Sequence, residues 1–340
     1  MSTDILSNNA MKWVLSTIPV GDSIDLSHFE LVEEKLILPQ DDLVLVESLL
    51  WSLDPSTRLM MKPSQGGFPG LSPGDTIPSL GIGRVIHTTS NKAAVGSLVR
   101  GPIGWSTHAT LDANSITVIP QEAKRLEDYL SVLSTTGATA YFGLVELARA
   151  KKGESLLITA AAGAVGSIAG QIGKILGLRV VGITGNKEKG QWLVEELGFD
   201  ASINYRGENV EEKIRMCLPD GIDIHFENVG AHFLQLGLDY LNYQGRIILC
   251  GLISEYNQPQ VTQLNNLSQI IFKSAIIRGI FLNKDFGHRL SDAYDKLEQW
   301  LDDGMLKNPV QQYSGFENLP STFLKLFSDN KSFGKLLVKV

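Results

Sequence analysis

Apolar and polar positions along the chain fall into two regimes. Over the first third, short alternating or continuous apolar runs rich in β-branched residues predict strands at 12–17, 29–35, 43–50, 81–88, 98–103 and 115–119. Pro39-Gln40-Asp41-Asp42 supplies the turn between the second and third, and the Gly- and Pro-rich stretch 63–78 reads as a loop. Short strands at this spacing predict a barrel-like β domain. The pattern then changes. Helical periodicity is read at 126–134 and 138–150. Strands at 156–159, 178–183, 201–204, 222–228 and 245–250 then alternate with helices at 167–176, 188–197, 210–218 and 232–241. That alternation predicts an α/β fold with a doubly wound parallel sheet. A strand at 276–282, a long helix at 285–303 and an α+β tail at 316–327 and 336–340 complete the reading.

The first strand–turn–helix–strand unit carries the strongest local chemistry. Between strands 156–159 and 178–183 lies Ala161-Ala162-Gly163-Ala164-Val165-Gly166. Against the G-x-G-x-x-G fingerprint, Gly163 holds the second position, Gly166 the third, and Ala161 replaces the first. Gly163 lets backbone approach a pyrophosphate, and Gly166 lets the helix lie against the strand. The helix N-terminus adds free N–H groups and a partial positive charge. A packing turn in another α/β protein is the alternative reading.

The end of the second strand selects among cofactors. An NAD site places Asp or Glu there for the ribose 2′-hydroxyl. This chain has Thr184-Gly185-Asn186-Lys187-Glu188-Lys189, with no carboxylate at the tip and lysines after it, which favours a 2′-phosphate and hence NADPH/NADP+.

Composition narrows the class. With 340 residues the chain has room for two domains, and its net charge of −7 gives no electrostatic support for nucleic acid or an anionic membrane. Cys217 and Cys250 are the only cysteines, too few for a disulfide framework or a four-cysteine zinc site. The six histidines, His28, His87, His108, His225, His232 and His288, show no ligand spacing with them, so no metal is expected. No apolar run suits a bilayer and no signal-peptide pattern opens the sequence; a cytoplasmic enzyme is the expectation.

Several stretches together resemble one family. They are Gly137-Ala138-Thr139-Ala140-Tyr141-Phe142-Gly143-Leu144, the glycine turn, Glu195-Glu196-Leu197-Gly198-Phe199-Asp200-Ala201, Phe226-Glu227-Asn228-Val229-Gly230, Cys250-Gly251-Leu252-Ile253-Ser254-Glu255-Tyr256-Asn257 and Phe333-Gly334-Lys335-Leu336-Leu337-Val338-Lys339-Val340. From about residue 12 to the end the chain resembles the zinc-independent medium-chain dehydrogenase/reductase superfamily, and within it the NADP-dependent alkenal/one double-bond reductases. The resemblance implies a GroES-like β-rich catalytic domain at 1–127, an NADP-binding Rossmann domain at 128–300 and a return to the catalytic domain at 301–340. It also implies a homodimer. Carried over by position, cofactor contacts fall on Gly163, Ala164, Val165, Gly166, Gly185, Lys189, Tyr205 and Asn228, with Cys250, Phe281 and Leu282 near the nicotinamide and Ser332 where the family has an Asn. Asn330 is the nearby substitute for that Asn.

The implied reaction is hydride addition to the β-carbon of an α,β-unsaturated aldehyde or ketone, followed by protonation at the α-carbon. A hydrogen-bond donor must stabilise the enolate oxygen; Tyr256 is the best protein donor by motif position, and the cofactor's ribose 2′-hydroxyl is the other candidate, beside it or instead. A pocket-wall tyrosine whose hydroxyl faces water is the other reading of Tyr256. Cys250 reads as a small core residue rather than a reactive thiol. The substrate pocket is expected to include Ser56, Arg58, His108 and Tyr256. Here the chain departs from the family: Asp54-Pro55-Ser56-Thr57-Arg58 stands where Asp-Pro-Tyr-Met-Arg is usual, and Gly104-Trp105-Ser106-Thr107-His108 where Gly-Trp-Glu-Glu-Tyr is usual. A quinone reductase, an allylic alcohol dehydrogenase and a non-catalytic NADPH-binding protein remain alternatives at this stage.

Overall fold

A computed structural model describes residues 9–20, 24–62, 69–257, 263–328 and 332–340. The chain divides into two compact units: Met1–Leu130 with Gln311–Asn330 and Lys335–Val340, and Ser131–Val310 with Lys331–Gly334.

The first unit opens with β1 (Asn9–Leu15) and β2 (Phe29–Lys35), an antiparallel pair. β3 (Leu43–Leu53) is long and almost wholly buried. A short helix, α1 (Thr57–Met60), follows it, then β4 (Gly81–Thr88), β5 (Leu98–Gly101), β6 (His108–Asp112) and β7 (Thr117–Val118). The strand at β6 was not expected. Its alternation of His108, Thr110 and Asp112 with Ala109 and Leu111 is mostly polar, and pairing along β3 is what makes it a strand. The helix expected at 126–134 is only a 3-10 turn, Leu126–Leu130.

In the second unit, α2 (Thr135–Phe142) runs into a single π turn, Gly143–Leu147, where one continuous helix was expected. Gly143 explains the departure. A Cβ there would lie 2.6 Å from the Phe226 ring, so the widened turn brings bare backbone onto that ring. Then come β8 (Ser155–Ile158), α3 (Ala164–Ile175), β9 (Arg179–Thr184), α4 (Lys187–Glu195), β10 (Ala201–Asn204), α5 (Val210–Cys217), β11 (Ile222–Glu227), α6 (Ala231–Asp239) and β12 (Leu241–Leu249). The unit continues with α7 (Ser268–Phe272), β13 (Ile276–Gly279), α8 (Leu282–Phe286) and α9 (Leu290–Asp302). The long helix expected at 285–303 is thus broken at Gly287–Arg289, a 3-10 turn opening on glycine. The strands form a parallel sheet in the order β10-β9-β8-β11-β12-β13. All of β8 is buried, as expected for a parallel strand covered on both faces.

The chain returns to the first unit through β14 (Val310–Ser314), α10 (Leu319–Leu324) and β15 (Lys335–Lys339). That unit's main sheet runs β14-β15-β3-β4-β5-β7, with β6 also on β3. Its largely aliphatic core holds an aromatic cluster: Phe29 stacks on Trp105 at 5.4 Å, and Trp105 meets the edge of Phe323 at 5.5 Å. Among the described residues no helix is long and apolar enough to cross a membrane.

Candidate active site

Every residue expected at the cofactor, Ser332 apart, lies just beyond the C-terminal end of a parallel strand. Gly163 to Gly166 follow β8, Gly185 and Lys189 follow β9, and Tyr205 follows β10. Asn228 follows β11, Cys250 follows β12, and Phe281 and Leu282 follow β13. Parallel strands share one C-terminal edge, so the sheet gathers residues more than a hundred positions apart along one rim. The order reverses between β8 and β11, which is where open α/β sheets form their ligand crevice. There Asn228 spans the gap: its N–H donates to Thr159 Oγ1 at 2.8 Å and its Nδ2 to the Thr159 carbonyl at 2.7 Å.

The glycine turn sits beside this junction. Ala160 takes φ 46°, the left-handed region, and Gly163 caps α3 with an extended backbone. A Cβ on Gly166 would lie 2.6 Å from the Ala160 carbonyl oxygen and 2.8 Å from Ala161 Cα. Glycine is therefore required for the helix to start this close to the strand. The first-turn N–H groups of a helix have no acceptor within it, so Ala164, Val165 and Gly166 present donors at its positive end. This glycine-lined turn at the head of a twelve-residue helix fits a dinucleotide pyrophosphate. The C-terminal segment closes on the same turn. Gly334 bridges to Gly163 and donates its N–H to the Ala162 carbonyl at 2.8 Å, bringing Ser332 to within two residues of that contact. Asn330 lies outside the described residues.

At the tip of β9, Asn186 caps α4 by accepting the Lys189 N–H at 2.8 Å. A Cβ on Gly185 would stand 3.3 Å from the Tyr205 ring and hydroxyl, so these two residues form one surface. Phe233 meets the Tyr205 ring at 5.3 Å, and the Arg206 guanidinium lies 5.4 Å from its centroid. No carboxylate occupies the strand tip. Arg206 and Phe233 escaped the sequence reading; a cation directly after Tyr205 was the available signal.

Burial, with the Glu227 carboxylate adding to it, pushes the Cys250 thiol up to about 12. A thiol raised this far is expected to be unreactive at neutral pH. Tyr256 follows a 3-10 turn, Ile253–Glu255. Its hydroxyl stands 3.2 Å from where a Gly251 Cβ would be, and the Asn228 carbonyl 3.4 Å from the same point. Burial raises the Tyr256 pKa, and the Leu252 backbone N–H, hydrogen-bonded to the oxygen, opposes that rise. The hydroxyl therefore stays protonated through the physiological range, with Leu252 using an acceptor position and leaving the O–H to donate.

The remaining expected residues belong to the first unit. Ser56 opens α1 and is half-buried. His108 begins β6 opposite Glu47; burial lowers its pKa and the Glu47 carboxylate opposes this. Arg58 is 0% exposed. Burial also lowers its pKa. The buried Lys335 ammonium pairs with Asp54, fixing the turn that carries Ser56. Residues 65–68 and 258–262, in loops expected to shape the pocket, lie outside the described residues.

Two buried residues at the rim were given no role from sequence. His225 and Glu227 are both 0% exposed and joined at 2.6 Å. Alternation along β11 puts both side chains on the same face, a pairing that needs the strand assignment to be seen.

Among the described residues no group of three or more His, Cys, Asp or Glu is arranged to hold a metal ion. Residues 11–119 match the family described as the N-terminal domain of oxidoreductase, and residues 164–302 the family described as zinc-binding dehydrogenase. The chain is 32% identical to the NADPH-dependent curcumin reductase of Escherichia coli, covering 97% of this chain and 96% of that one. It is 34% identical to prostaglandin reductase 1 of Bos taurus, covering 97% and 99% respectively. The crystal structure of CurA in complex with NADPH from Vibrio vulnificus superposes with a TM-score of 0.91 at 31% identity, covering 97% of this chain and 99% of that one. The chain belongs to the zinc-independent medium-chain dehydrogenase/reductase superfamily. Within it the chain falls among the NADP-dependent alkenal/one double-bond reductases, and it is an oxidoreductase.

Proposed function

We propose that this oxidoreductase reduces the carbon–carbon double bond of α,β-unsaturated aldehydes or ketones with NADPH. The observation that carries the reading is the position of the Tyr256 hydroxyl beside Gly251 and Asn228, just beyond the C-terminal ends of β11 and β12. In this reading Gly163, Ala164, Val165 and Gly166 hold the pyrophosphate, and Gly185, Lys189 and Tyr205 hold the adenosine with its 2′-phosphate. Asn228, Cys250, Phe281 and Leu282 line the nicotinamide side, and Ser332 completes the cradle beside the glycine turn. Bound NADPH supplies the hydride that adds to the β-carbon. Tyr256 donates its O–H to the substrate carbonyl oxygen as negative charge builds there, in a setting where burial strengthens the bond. The α-carbon then takes a proton, and the carbonyl is recovered. Ser56 and His108 are the proposed substrate contacts of the first unit, smaller or more polar than the usual tyrosines. Proton NMR of the product from a 2-alkenal tests the reading: a saturated aldehyde, with the alkene signals lost and the aldehyde signal kept, supports it and an allylic alcohol refutes it.

We also propose a homodimer formed along β13. This edge strand and the preceding α7 expose Ile271 at 77% and Phe272 at 76%, with Leu267 and Ile276 also exposed. An apolar sheet edge of this kind is normally covered, and a second copy of the same edge is its matching partner. Two free thiols suit a reducing compartment, which supports a cytoplasmic location.

A further inference from the structure

The buried pair His225–Glu227 has no direct part in the proposed chemistry, yet its bonds lead to both residues that frame the nicotinamide end. Glu227 Oε1 accepts three donors: Thr159 Oγ1 at 2.9 Å, Val229 N–H at 2.5 Å and Gly230 N–H at 2.7 Å. Its other oxygen, Oε2, meets His225 Nε2 at 2.6 Å. A carboxylate with both oxygens engaged this way is held in one orientation. The His225 Nδ1 atom is buried without a hydrogen-bond partner among the described residues. The tautomer with its proton on Nε2 fits this, because it donates to Glu227 and leaves only a bare lone pair at Nδ1.

From Glu227 the network continues in two directions. Thr159, fixed by its bond to Oε1, accepts the Asn228 N–H at 2.8 Å. Val229, fixed through its N–H, accepts at its carbonyl the Ser254 hydroxyl at 2.6 Å and the Ser254 N–H at 3.1 Å. The Asn228 carbonyl accepts the Ile253 N–H at 3.1 Å. Ile253 and Ser254 belong to the 3-10 turn that delivers Tyr256. The Glu227 carbonyl also accepts the N–H groups of Cys250 at 2.9 Å and Gly251 at 3.2 Å. The ends of β8, β11 and β12 therefore meet at one residue.

We infer that His225 and Glu227 are positioning residues: His225 orients the Glu227 carboxylate, and Glu227 fixes Asn228–Gly230 and, through them, the turn bearing Tyr256. This deepens the double-bond reductase reading and rests on it for the catalytic consequence. The structural consequence does not depend on that reading. Misplacement of a donor by a fraction of an ångström is enough to slow a step whose barrier depends on its alignment.

The test compares Glu227→Gln, His225→Leu and His225→Gln, each first checked for a native unfolding transition. Gln at 225 retains an N–H for Glu227, whereas Leu does not. Amide hydrogen exchange of the protein without cofactor is the first readout. Val229, Gly230 and residues 253–256 are expected to exchange faster in Glu227→Gln and His225→Leu, with protection restored in His225→Gln. Steady-state kinetics with NADPH and an enone is the second. We expect kcat to fall about 10-fold or more in the first two variants, with the enone KM changed far less, and His225→Gln to stay within about 3-fold of the parent. Unchanged exchange at both segments overturns the inference, as does a His225→Leu protein that is merely less stable with its kcat intact. If the parent enzyme turns over no enone, the function reading fails, while the exchange result still decides the positioning role. If Glu227→Gln does not fold, Ser254→Ala takes its place: it is expected to loosen 253–256 while leaving Val229 and Gly230 protected. Identical exchange in that variant overturns the coupling to Tyr256.

Discussion

Thr159 and Asn228 join the two central strands where the sheet order reverses, by hydrogen bonds of 2.8 Å to the threonine hydroxyl and 2.7 Å to its carbonyl. Thr159 is fully buried, so neither bond can be replaced by water without rearrangement. Thr159→Val keeps the shape and removes the hydroxyl, leaving the Asn228 N–H unpaired. We expect a loss of about 1–3 kcal/mol in stability, measured by urea unfolding, together with weaker NADPH binding. An unchanged unfolding midpoint would show that the junction is not held by this hydroxyl.

Gly166→Ala tests the glycine turn. The new methyl meets main-chain atoms of Ala160 and Ala161 rather than a flexible side-chain end, so the backbone must move. Overpacking of this type costs about 1–3 kcal/mol. Because the displaced atoms belong to the proposed pyrophosphate cradle, NADPH affinity, followed by its fluorescence on titration, is expected to fall more than the affinity for a substrate-sized enone.

Preference for the 2′-phosphate is proposed to rest on Lys189, with Tyr205 beside Gly185. Removing one charge-assisted contact typically costs about 1.5–3 kcal/mol, which corresponds to about 10-fold or more in binding. Lys189→Ala is therefore expected to raise the KM for NADPH by about that factor and leave the KM for NADH nearly unchanged. An equal rise for both would place Lys189 away from the 2′-phosphate.

The βαβ alternation from Ser155 onward was legible because β8 and most of β9 are apolar runs, β11 is apolar at every second position, and helical periodicity separates the strands. The glycine turn was legible because close backbone approach demands specific residues. By contrast, β6 is a strand only because β3 lies beside it, and the π turn after Phe142 arises because Phe226 comes from a distant strand to press on Gly143. The His225–Glu227 pair was hidden for the same reason. Nothing in the separate residues shows that one carboxylate collects donors from 159, 229 and 230. Arg58 was expected on a pocket wall by motif position, and only packing reveals that it is buried.

Cys250 supplies a pH prediction. Its thiol is raised to about 12 by burial, from an ordinary value of 9.0, so folding disfavours the thiolate. Below about pH 9 the thiol is protonated in both states and has no effect on stability with pH. Above it the unfolded chain loses the proton first, so this contribution to stability declines as pH rises from about 9 towards 12. Alkylation of Cys250 by iodoacetamide at pH 8 is expected to be much slower than that of a free thiol, and Cys250→Ala is expected to retain turnover. Rapid alkylation with loss of activity would assign the thiol a reactive role.

The proposed dimer is checked by Phe272→Asp, which puts a charge on the exposed apolar edge beside β13. Sedimentation is expected to show a dimer for the parent protein and a monomer for the variant, with similar unfolding midpoints at matched concentration. A parent protein that sediments as a monomer would contradict the proposal.

The most direct test of the central claim follows the hydride itself. NADPH carrying deuterium at its transferable position is incubated with the protein and an enone, and the product is examined by NMR. We expect a saturated ketone with deuterium on the former β-carbon and a solvent-derived hydrogen on the α-carbon, with turnover reduced strongly by Tyr256→Phe. Deuterium on the carbonyl carbon of an alcohol, or NADPH consumed by a quinone but by no enone, would contradict the account.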